Sequence, residues 1–179
     1  MRVAYADPPY LGLAKRFYGD PTYDRPEAHR ALVDRLVQEF PDGWAVSLHE
    51  PALGYYLGCC PPGVRVGAWV KPFVNLTHAQ NGVAHAWEPV IFWGGRKGRR
   101  RLTAFDWCSC PPTKERGLVG AKPDRFCWWV FQVLGLGPED ELADLFPGSG
   151  AVTRAWEAWR RQYPIRWGAG LPAPGLRRP

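Results

Sequence analysis

The stretch Arg2-Val-Ala-Tyr-Ala-Asp-Pro-Pro-Tyr10 joins a short apolar strand to a rigid turn that carries polar and aromatic groups. The residues up to Ala6 predict a strand, and the two prolines must end it, because proline has no N–H for a sheet and restricts the residue before it. Asp7 and Tyr10 therefore stand just beyond the end of a strand. In open α/β sheets this is where ligands bind.

Strand and helix patterns alternate along the rest of the chain. Apolar residues at helical spacing and a proline in the first turn predict a helix over residues 26–40. Further strands are predicted at 44–48, 64–70, 90–93 and 141–146, a short helix at 51–58, and helices at 123–134 and 151–161. Residues 11–25 have no clear period and predict a loop. The alternation predicts an α/β fold with a mostly parallel sheet and helices on both faces.

Size and composition fit one globular domain. The 179 residues suit a single core, and 46% hydrophobic with 22% charged residues argues against extensive disorder. We expect the domain to span residues 1–167 and the Gly-, Pro- and Arg-rich residues 168–179 to form an irregular tail. The sequence shows no signal peptide or membrane span, so we expect a soluble cytoplasmic protein.

Positive charge is concentrated in one short segment. The chain has a net charge of +6, which suits a polyanionic partner. Five cations fall within six residues, namely Arg96, Lys97, Arg99, Arg100 and Arg101. In an arbitrary protein such a run is a solvated loop, but beside a nucleic-acid site it would neutralise phosphates. Residues 96–119 are few for a complete recognition domain, so sequence specificity would be modest or need a partner.

A second motif, Asp144-Leu-Phe-Pro-Gly-Ser-Gly150, lies between a predicted strand and a predicted helix. Glycines let a ligand approach the backbone, and the N–H groups that open a helix favour an anionic group such as a carboxylate. A Gly-rich turn alone is weak evidence. Its meaning depends on the other motif.

The first motif suits a base that has been rotated out of a nucleic-acid helix. Asp7 and the carbonyl of Pro8 can accept the two hydrogens of an exocyclic amino group and so orient its nitrogen. Tyr10 can stack on the extruded ring. Pro8 and Pro9 fix the backbone, so that these groups arrive in position.

These motifs resemble those of the nucleic-acid amino-methyltransferases. Asp7-Pro8-Pro9-Tyr10 matches their catalytic signature, and Phe146-Pro-Gly148-Ser149-Gly150 matches their cofactor loop. The catalytic motif comes first here, which is the permuted order of the β class, and Lys122-Pro123 resembles the segment that packs beside the cofactor. The resemblance implies a Rossmann-like, circularly permuted fold and S-adenosylmethionine as the methyl donor. It implies cofactor contacts from Asp7, Lys122, Pro123, Asp144, Phe146, Gly148, Ser149 and Gly150.

The resemblance also implies a substrate, which is adenine N6 in DNA. Asp7 favours adenine over cytosine N4, for which related enzymes more often have Ser. The layout is also similar to that of the messenger-RNA adenine methyltransferases, with counterparts for Trp69-Val70-Lys71, Glu88 and Lys122-Pro123-Asp124. That branch usually has Trp in place of Tyr10 and lacks the Gly-Ser-Gly loop, so the bacterial and phage DNA enzymes are the closer likeness and RNA the lesser alternative.

One family feature is missing. The strand after the Gly-rich loop usually ends in a carboxylate that holds the cofactor ribose, but no Asp or Glu follows Glu157. Three alternatives remain open: another residue supplies that contact, the cofactor binds weakly, or the chain is a degenerate nucleic-acid-binding subunit of a larger complex. A second copy of the chain or a partner subunit are therefore further expected partners. A protein-glutamine methyltransferase ranks last, because it would usually carry Asn in place of Asp7.

Other chemically suggestive residues have simpler interpretations. The five cysteines do not show the spacing of a zinc site, so we predict no metal and reduced thiols. His49 follows a predicted strand and could line the pocket, but we interpret it first as a hydrogen-bonded loop histidine. Phe17, Tyr18 and Tyr23 lie in the loop after Tyr10, which could close over an extruded base.

Overall fold

The computed structural model describes residues 1–72, 83–97, 103–113 and 121–162, without the side chains of residues 17 and 18. Arg99, Arg100, Arg101, residues 163–167 and the tail at 168–179 lie outside this part. The strands are β1 (Arg2–Ala6), β2 (Gly43–Ser47), β3 (Arg65–Val70), β4 (Trp87–Gly94), β5 (Trp107–Ser109) and β6 (Glu141–Asp144). The helices are α1 (Ala14–Tyr18), α2 (Pro26–Glu39), α3 (Leu53–Cys59), α4 (Asp124–Leu134) and α5 (Ala151–Gln162).

The six strands form one sheet in the order β5-β3-β4-β2-β1-β6. The pairs β1–β2, β1–β6 and β3–β5 are parallel, whereas β4 runs antiparallel to both of its neighbours. Five strands therefore point one way, and the sheet is mostly parallel as predicted. The reversal of β4 brings its first residues to the edge where β1 and β2 end.

Alternate residues of β1 face two separate cores, because successive side chains of a strand point to opposite faces. Val3 and Tyr5 pack with the buried residues of α4 and α5. Ala4 and Ala6 pack with those of α2 and α3. All four have at most 1% of their surface exposed. The predicted arrangement of helices on both faces is confirmed.

The strands and helices with regular patterns lie within a few residues of their predicted positions. Two predictions need correction. The edge strand β5 was not predicted, because it has only three residues and its Trp107 is half exposed. Residues 11–25 were predicted to be a loop, but they contain α1. The first N–H groups of α1 are capped by a side chain that comes later in the sequence. Asp24 accepts from the backbone N–H groups of Ala14 and Lys15 at 2.7 and 3.0 Å, as a capping carboxylate does.

Two properties concern the described residues alone. None of their helices has the length and apolar character that crossing a membrane requires. Within the same ranges, no group of three or more His, Cys, Asp or Glu side chains is arranged to hold a metal ion.

Candidate active site

One edge of the sheet collects side chains from three neighbouring strands. β1 and β2 end there, and β4 begins there, with Ser47 paired to Val90. Asp7 and Tyr10 follow β1, His49 follows β2, and Glu88 is the second residue of β4. Because β4 runs in the opposite direction, its residue Glu88 lies at the same edge of the sheet as Asp7.

Two lysines and two carboxylates form a charge cluster at this edge. Lys122 Nζ lies 3.0 Å from Asp7 Oδ1 and 3.9 Å from Glu88 Oε2. The ammonium of Lys71 forms an ion pair with Glu88 Oε1. Tyr10 donates its hydroxyl hydrogen to Glu88 Oε2 over 3.0 Å. Glu88 therefore joins both lysines to the tyrosine of the first motif.

The indole of Trp69 forms the floor of this cluster. Lys71 Nζ and Lys122 Nζ lie 4.7 and 5.2 Å from its ring centroid, within the range of cation–π attraction. The indole N–H donates to the carbonyl of Cys110 at 3.0 Å. Because Trp69 is only 3% exposed, the floor is fixed by packing as well as by this hydrogen bond.

Burial and neighbouring charge act differently on the three central groups. Burial raises the pKa of Asp7, and Lys122 offsets only part of that rise. Burial also disfavours ionised Glu88, but Lys122 and Lys71 outweigh it and hold the pKa of Glu88 below its usual value. Burial opposes a charge on Lys122 as well, yet Asp7 and the other acidic neighbours hold its pKa well above the ordinary range. Glu88 is thus the firm counterion of the lysines, and Asp7 the carboxylate whose proton affinity is raised.

Tyr10 stacks on His49. The two rings are nearly parallel, with an interplanar angle of 6° and centroids 5.1 Å apart. Burial raises the pKa of the Tyr10 hydroxyl well above its usual value, so the group remains a hydrogen-bond donor at neutral pH.

The second motif lies beside the first because β6 pairs with β1. Asp144 is in register with Tyr5, and Asp144 Oδ2 accepts from the Thr153 hydroxyl at 3.2 Å. Within the described residues, the Oδ1 atoms of Asp7 and Asp144 are buried and accept no hydrogen bond. The contact of Asp7 with Lys122 is an ion pair without hydrogen-bond geometry. Two neighbouring carboxylates therefore present buried oxygens, one in contact with the Lys122 ammonium and the other without a hydrogen-bond donor among the described residues.

The Gly-rich loop turns sharply from this point into α5. Gly148 and Gly150 have φ values of 44° and 73°, in the left-handed region that glycine adopts most easily. A side chain on Gly148 would meet nothing closer than the Phe146 carbonyl at 3.9 Å, so the loop leaves open space at this residue. The Phe146 ring is held edge-on by Tyr23, at a centroid distance of 5.3 Å.

Comparison with known proteins gives similarity at the level of structure. No protein-family model matches the sequence, and the search of curated proteins gave no match. The crystal structure of M1.HpyAVI aligns with 88% of this chain and 76% of its own, at a TM-score of 0.57 and 16% identity. The M1.HpyAVI–SAM complex aligns with 88% of this chain and 78% of its own, at a TM-score of 0.56 and 16% identity.

The chain has the same fold. Its mixed α/β architecture, with a mostly parallel six-stranded sheet, is that of the SAM-dependent methyltransferases. The predicted α/β fold with a mostly parallel sheet is therefore confirmed, and the circular permutation stays a prediction.

The predicted site residues divide between two edges of the sheet. The structure brings together Asp7, Tyr10, Lys122 and Asp144, with Pro8, Pro9, Pro123, Phe146, Gly148, Ser149 and Gly150 in the adjoining turns. Arg96 and Lys97 instead follow the far end of β4, an eight-residue strand roughly 25 Å long. Arg96 Nη2 donates to both carboxylate oxygens of Asp140, at 2.9 and 2.6 Å. The guanidinium is thus occupied by a structural contact at the edge opposite Asp7.

Three residues of the site were not assigned a role from the sequence. Lys71 and Glu88 matched positions in related enzymes, but their contact became visible only with the antiparallel pairing of β3 and β4, in which Trp69 lies opposite Glu88. His49 was interpreted as a hydrogen-bonded loop residue, whereas it stacks on Tyr10. A useful signal was available for His49, since it lies two residues after the end of β2, much as Asp7 lies just after the end of β1.

Proposed function

We propose that this protein transfers a methyl group from S-adenosylmethionine to the exocyclic N6 of an adenine that has been rotated out of a DNA helix. The observation that carries the proposal is the buried carboxylate of Asp7, whose Oδ1 is held, among the described residues, by the Lys122 ammonium at 3.0 Å and by no bond of hydrogen-bond geometry. It lies at a strand end between an aromatic ring, Tyr10, and the Gly-rich loop. An amino group would donate a hydrogen bond of good geometry to this carboxylate.

The residues of the second motif fit the methyl donor. The buried, unpartnered Oδ1 of Asp144 suits the amino or hydroxyl groups of S-adenosylmethionine. Gly148 leaves space for close approach, and the N–H groups opening α5 favour its carboxylate. Lys122, Pro123, Phe146, Ser149 and Gly150 would complete the contacts. The SAM complex of M1.HpyAVI supports the assignment, because a protein of the same fold holds this molecule.

S-adenosylmethionine supplies a methyl group that is activated by its bond to a sulfonium sulfur. In the proposed reaction, Asp7 and the Pro8 carbonyl accept the two amino hydrogens and point the N6 lone pair toward the methyl carbon. The nitrogen–carbon bond forms as the carbon–sulfur bond breaks. The surplus proton then leaves N6, and Asp7 is the adjacent acceptor. Its raised pKa suits this role.

Lys122 allows Asp7 to release its present contact. When an amino group approaches Asp7, the ammonium of Lys122 retains Glu88, whose Oε2 is 3.9 Å away. After the exchange both lysines remain paired with Glu88, and the Asp7 carboxylate accepts hydrogen bonds from the neutral amino group. Lys122 therefore acts as a movable counterion in this proposal.

The nucleic acid is proposed to be DNA, because the motifs resemble those of the bacterial and phage DNA enzymes more closely. The net charge of +6 supports a polyanionic substrate. The cations proposed to contact phosphates are Lys97, Arg99, Arg100 and Arg101, because the guanidinium of Arg96 is bonded to Asp140. A second copy of the chain or a partner subunit is proposed as a further partner.

The decisive experiment supplies isotopically labelled S-adenosylmethionine with unmethylated plasmid DNA or RNA, followed by mass spectrometry of the released nucleosides. We expect labelled N6-methyladenine from DNA, and none from the Asp7→Ala variant. Asp34→Ala, which removes an exposed carboxylate on α2, is the matched control and should retain activity. Detection of N4-methylcytosine, or of methylated product from RNA alone, would contradict adenine N6 in DNA as the substrate. Equal product from Asp7→Ala and the wild type would refute the catalytic role of Asp7.

A second candidate function is a nucleic-acid-binding subunit that has lost catalysis. It is favoured by one observation, namely that residues 163–167, where the resemblance implies a carboxylate for the cofactor ribose, contain no Asp or Glu. Titration calorimetry with S-adenosylmethionine separates the two candidates. Salt-dependent DNA binding without measurable cofactor binding would favour the second.

A further inference from the structure

Tyr10 is held at two separate points. Its hydroxyl donates to Glu88 Oε2 over 3.0 Å, and one face of its ring lies parallel to the imidazole of His49, with the centroids 5.1 Å apart. The hydrogen bond fixes the far end of the side chain, while the stack fixes the plane of the ring. A ring restrained in both ways offers a surface of defined orientation.

His49 is itself supported on both sides by backbone hydrogen bonds. The N–H of Leu48, just before it, donates to the Pro89 carbonyl at 3.2 Å and ties this segment to β4. The His49 carbonyl accepts from the N–H of Ala52 at 3.1 Å, where a 3₁₀ turn over Glu50–Ala52 begins. These bonds fix the backbone of His49 relative to the sheet, so the position of the imidazole does not depend on a free loop.

The contact between the rings is a stack of neutral groups at pH 7. Burial lowers the pKa of His49 below its ordinary value of 6.5. The groups that act on it are the Glu88 and Glu50 carboxylates, which favour protonation, and His29 and His85, which oppose it. A neutral imidazole packs flat against a phenol ring, as offset aromatic pairs do.

We propose that His49 is a positioning residue that backs Tyr10, so that the opposite face of the phenol ring becomes the stacking surface for the extruded base. The inference rests on the proposed function and adds a residue to its substrate site. Because one face of Tyr10 is occupied by His49, the base has a single face on which to stack. His49 thus sets the plane of the base relative to Asp7 without touching the reacting atoms.

The test uses a single-stranded oligonucleotide with one 2-aminopurine, a fluorescent adenine analogue that is quenched when it stacks on an aromatic ring. The single strand needs no base rotation, and quenching does not require methyl transfer. We expect the wild-type protein to quench the probe and His49→Ala to raise the Kd about three- to tenfold, the range that corresponds to one lost aromatic contact. His49→Phe, which keeps a flat ring, should restore the Kd to within about twofold.

The control is His85→Ala. His85 is exposed and pairs with Glu50 at 3.9 Å, so its removal should leave the Kd unchanged. Thermal unfolding of each variant separates lost binding from lost structure, and His49→Phe carries the test if His49→Ala fails to fold. The KM for S-adenosylmethionine should not change in any variant, whereas the KM for DNA should follow the Kd.

Failure of the inference differs from failure of the proposed function. An equal Kd for His49→Ala and the wild type, a His49→Phe variant as weak as His49→Ala, or no quenching by the wild type would overturn the inference. Methyl transfer is measured separately in the plasmid assay. Quenching that depends on His49 in a protein without methyl transfer would refute the catalytic proposal alone, and methyl transfer without such quenching would refute the positioning role alone.

Discussion

The hydroxyl of Tyr10 donates to Glu88 Oε2 over 3.0 Å, although 78 residues separate the two in sequence. This bond connects the aromatic residue of the first motif to the only carboxylate that, in the described part of the chain, also lies within 4 Å of both Lys71 and Lys122. Glu88 is therefore the residue through which the ring and the charge cluster affect each other.

Replacing Glu88 by Gln should damage the site more than removing the tyrosine hydroxyl. Glu88→Gln leaves two partly buried ammonium groups with one carboxylate, so we expect a loss of about 1–3 kcal/mol in the free energy of unfolding. The kcat should fall more than tenfold. Tyr10→Phe keeps the stack on His49 and should cost about 1 kcal/mol. Chemical denaturation and the plasmid methylation assay measure both, and equal effects of the two variants would contradict the central role of Glu88.

Acid should weaken the fold through His29, which is almost fully buried on α2. Its two ring nitrogens contact the Tyr56 hydroxyl at 2.6 Å and the Tyr23 carbonyl at 2.7 Å, a pairing in which Nε2 donates and Nδ1 accepts. Burial lowers its pKa from 6.5, so the unfolded chain binds the proton more readily. The contribution of neutral His29 to the free energy of unfolding is complete above pH 6.5 and is lost as the pH falls below this value.

The measurement is urea unfolding between pH 7.5 and 5, on the wild type and on His29→Gln. The variant should be less stable at pH 7.5, yet its stability should decline less between about pH 6.5 and 5. An unchanged slope would show that His29 does not carry this dependence. The pKa of His49 is lowered in the same direction, so some slope should remain.

The two described cations of the basic segment should behave differently. Arg96 is bonded to Asp140, so Arg96→Ala should lower the free energy of unfolding by up to about 1 kcal/mol, a modest value because the side chain is half exposed. Lys97→Ala should instead reduce the slope of log Kd against log salt for DNA by about 0.9, as expected for one phosphate contact. A similar change in slope for Arg96→Ala would show that it leaves Asp140 to bind phosphate.

Periodicity was sufficient for the elements that bury a regular face. β1 was predicted with its observed bounds, because a run of apolar residues ends at the two prolines, and α2 and α4 were predicted to within one residue, because their apolar residues recur at intervals of about 3.6. The short strand β5 has no such period, and α1 depends on a cap from Asp24, ten residues after Ala14. Local sequence patterns therefore predict neither β5 nor α1.

The site divides in the same way. Asp7-Pro8-Pro9-Tyr10 and the Gly-rich loop were visible because consecutive residues carry their chemistry. The contacts of Lys71, Glu88 and His49 depend on which strands pair and in which direction. The direction of β4 depends on how the whole sheet is paired. The sequence pattern of the strand is the same for either direction.

The position of residues 96 and 97 has a consequence for engineering. The connection from β4 toward β5 leaves the sheet on the side away from Asp7, since Gly94 pairs with Gly43 at the beginning of β2. Segments of different length or sequence could be exchanged between residues 97 and 103 while the charge cluster keeps its own supports on β1, β3 and β4. Libraries confined to this connection would vary the proposed phosphate contacts while the side chains of the charge cluster stay unchanged.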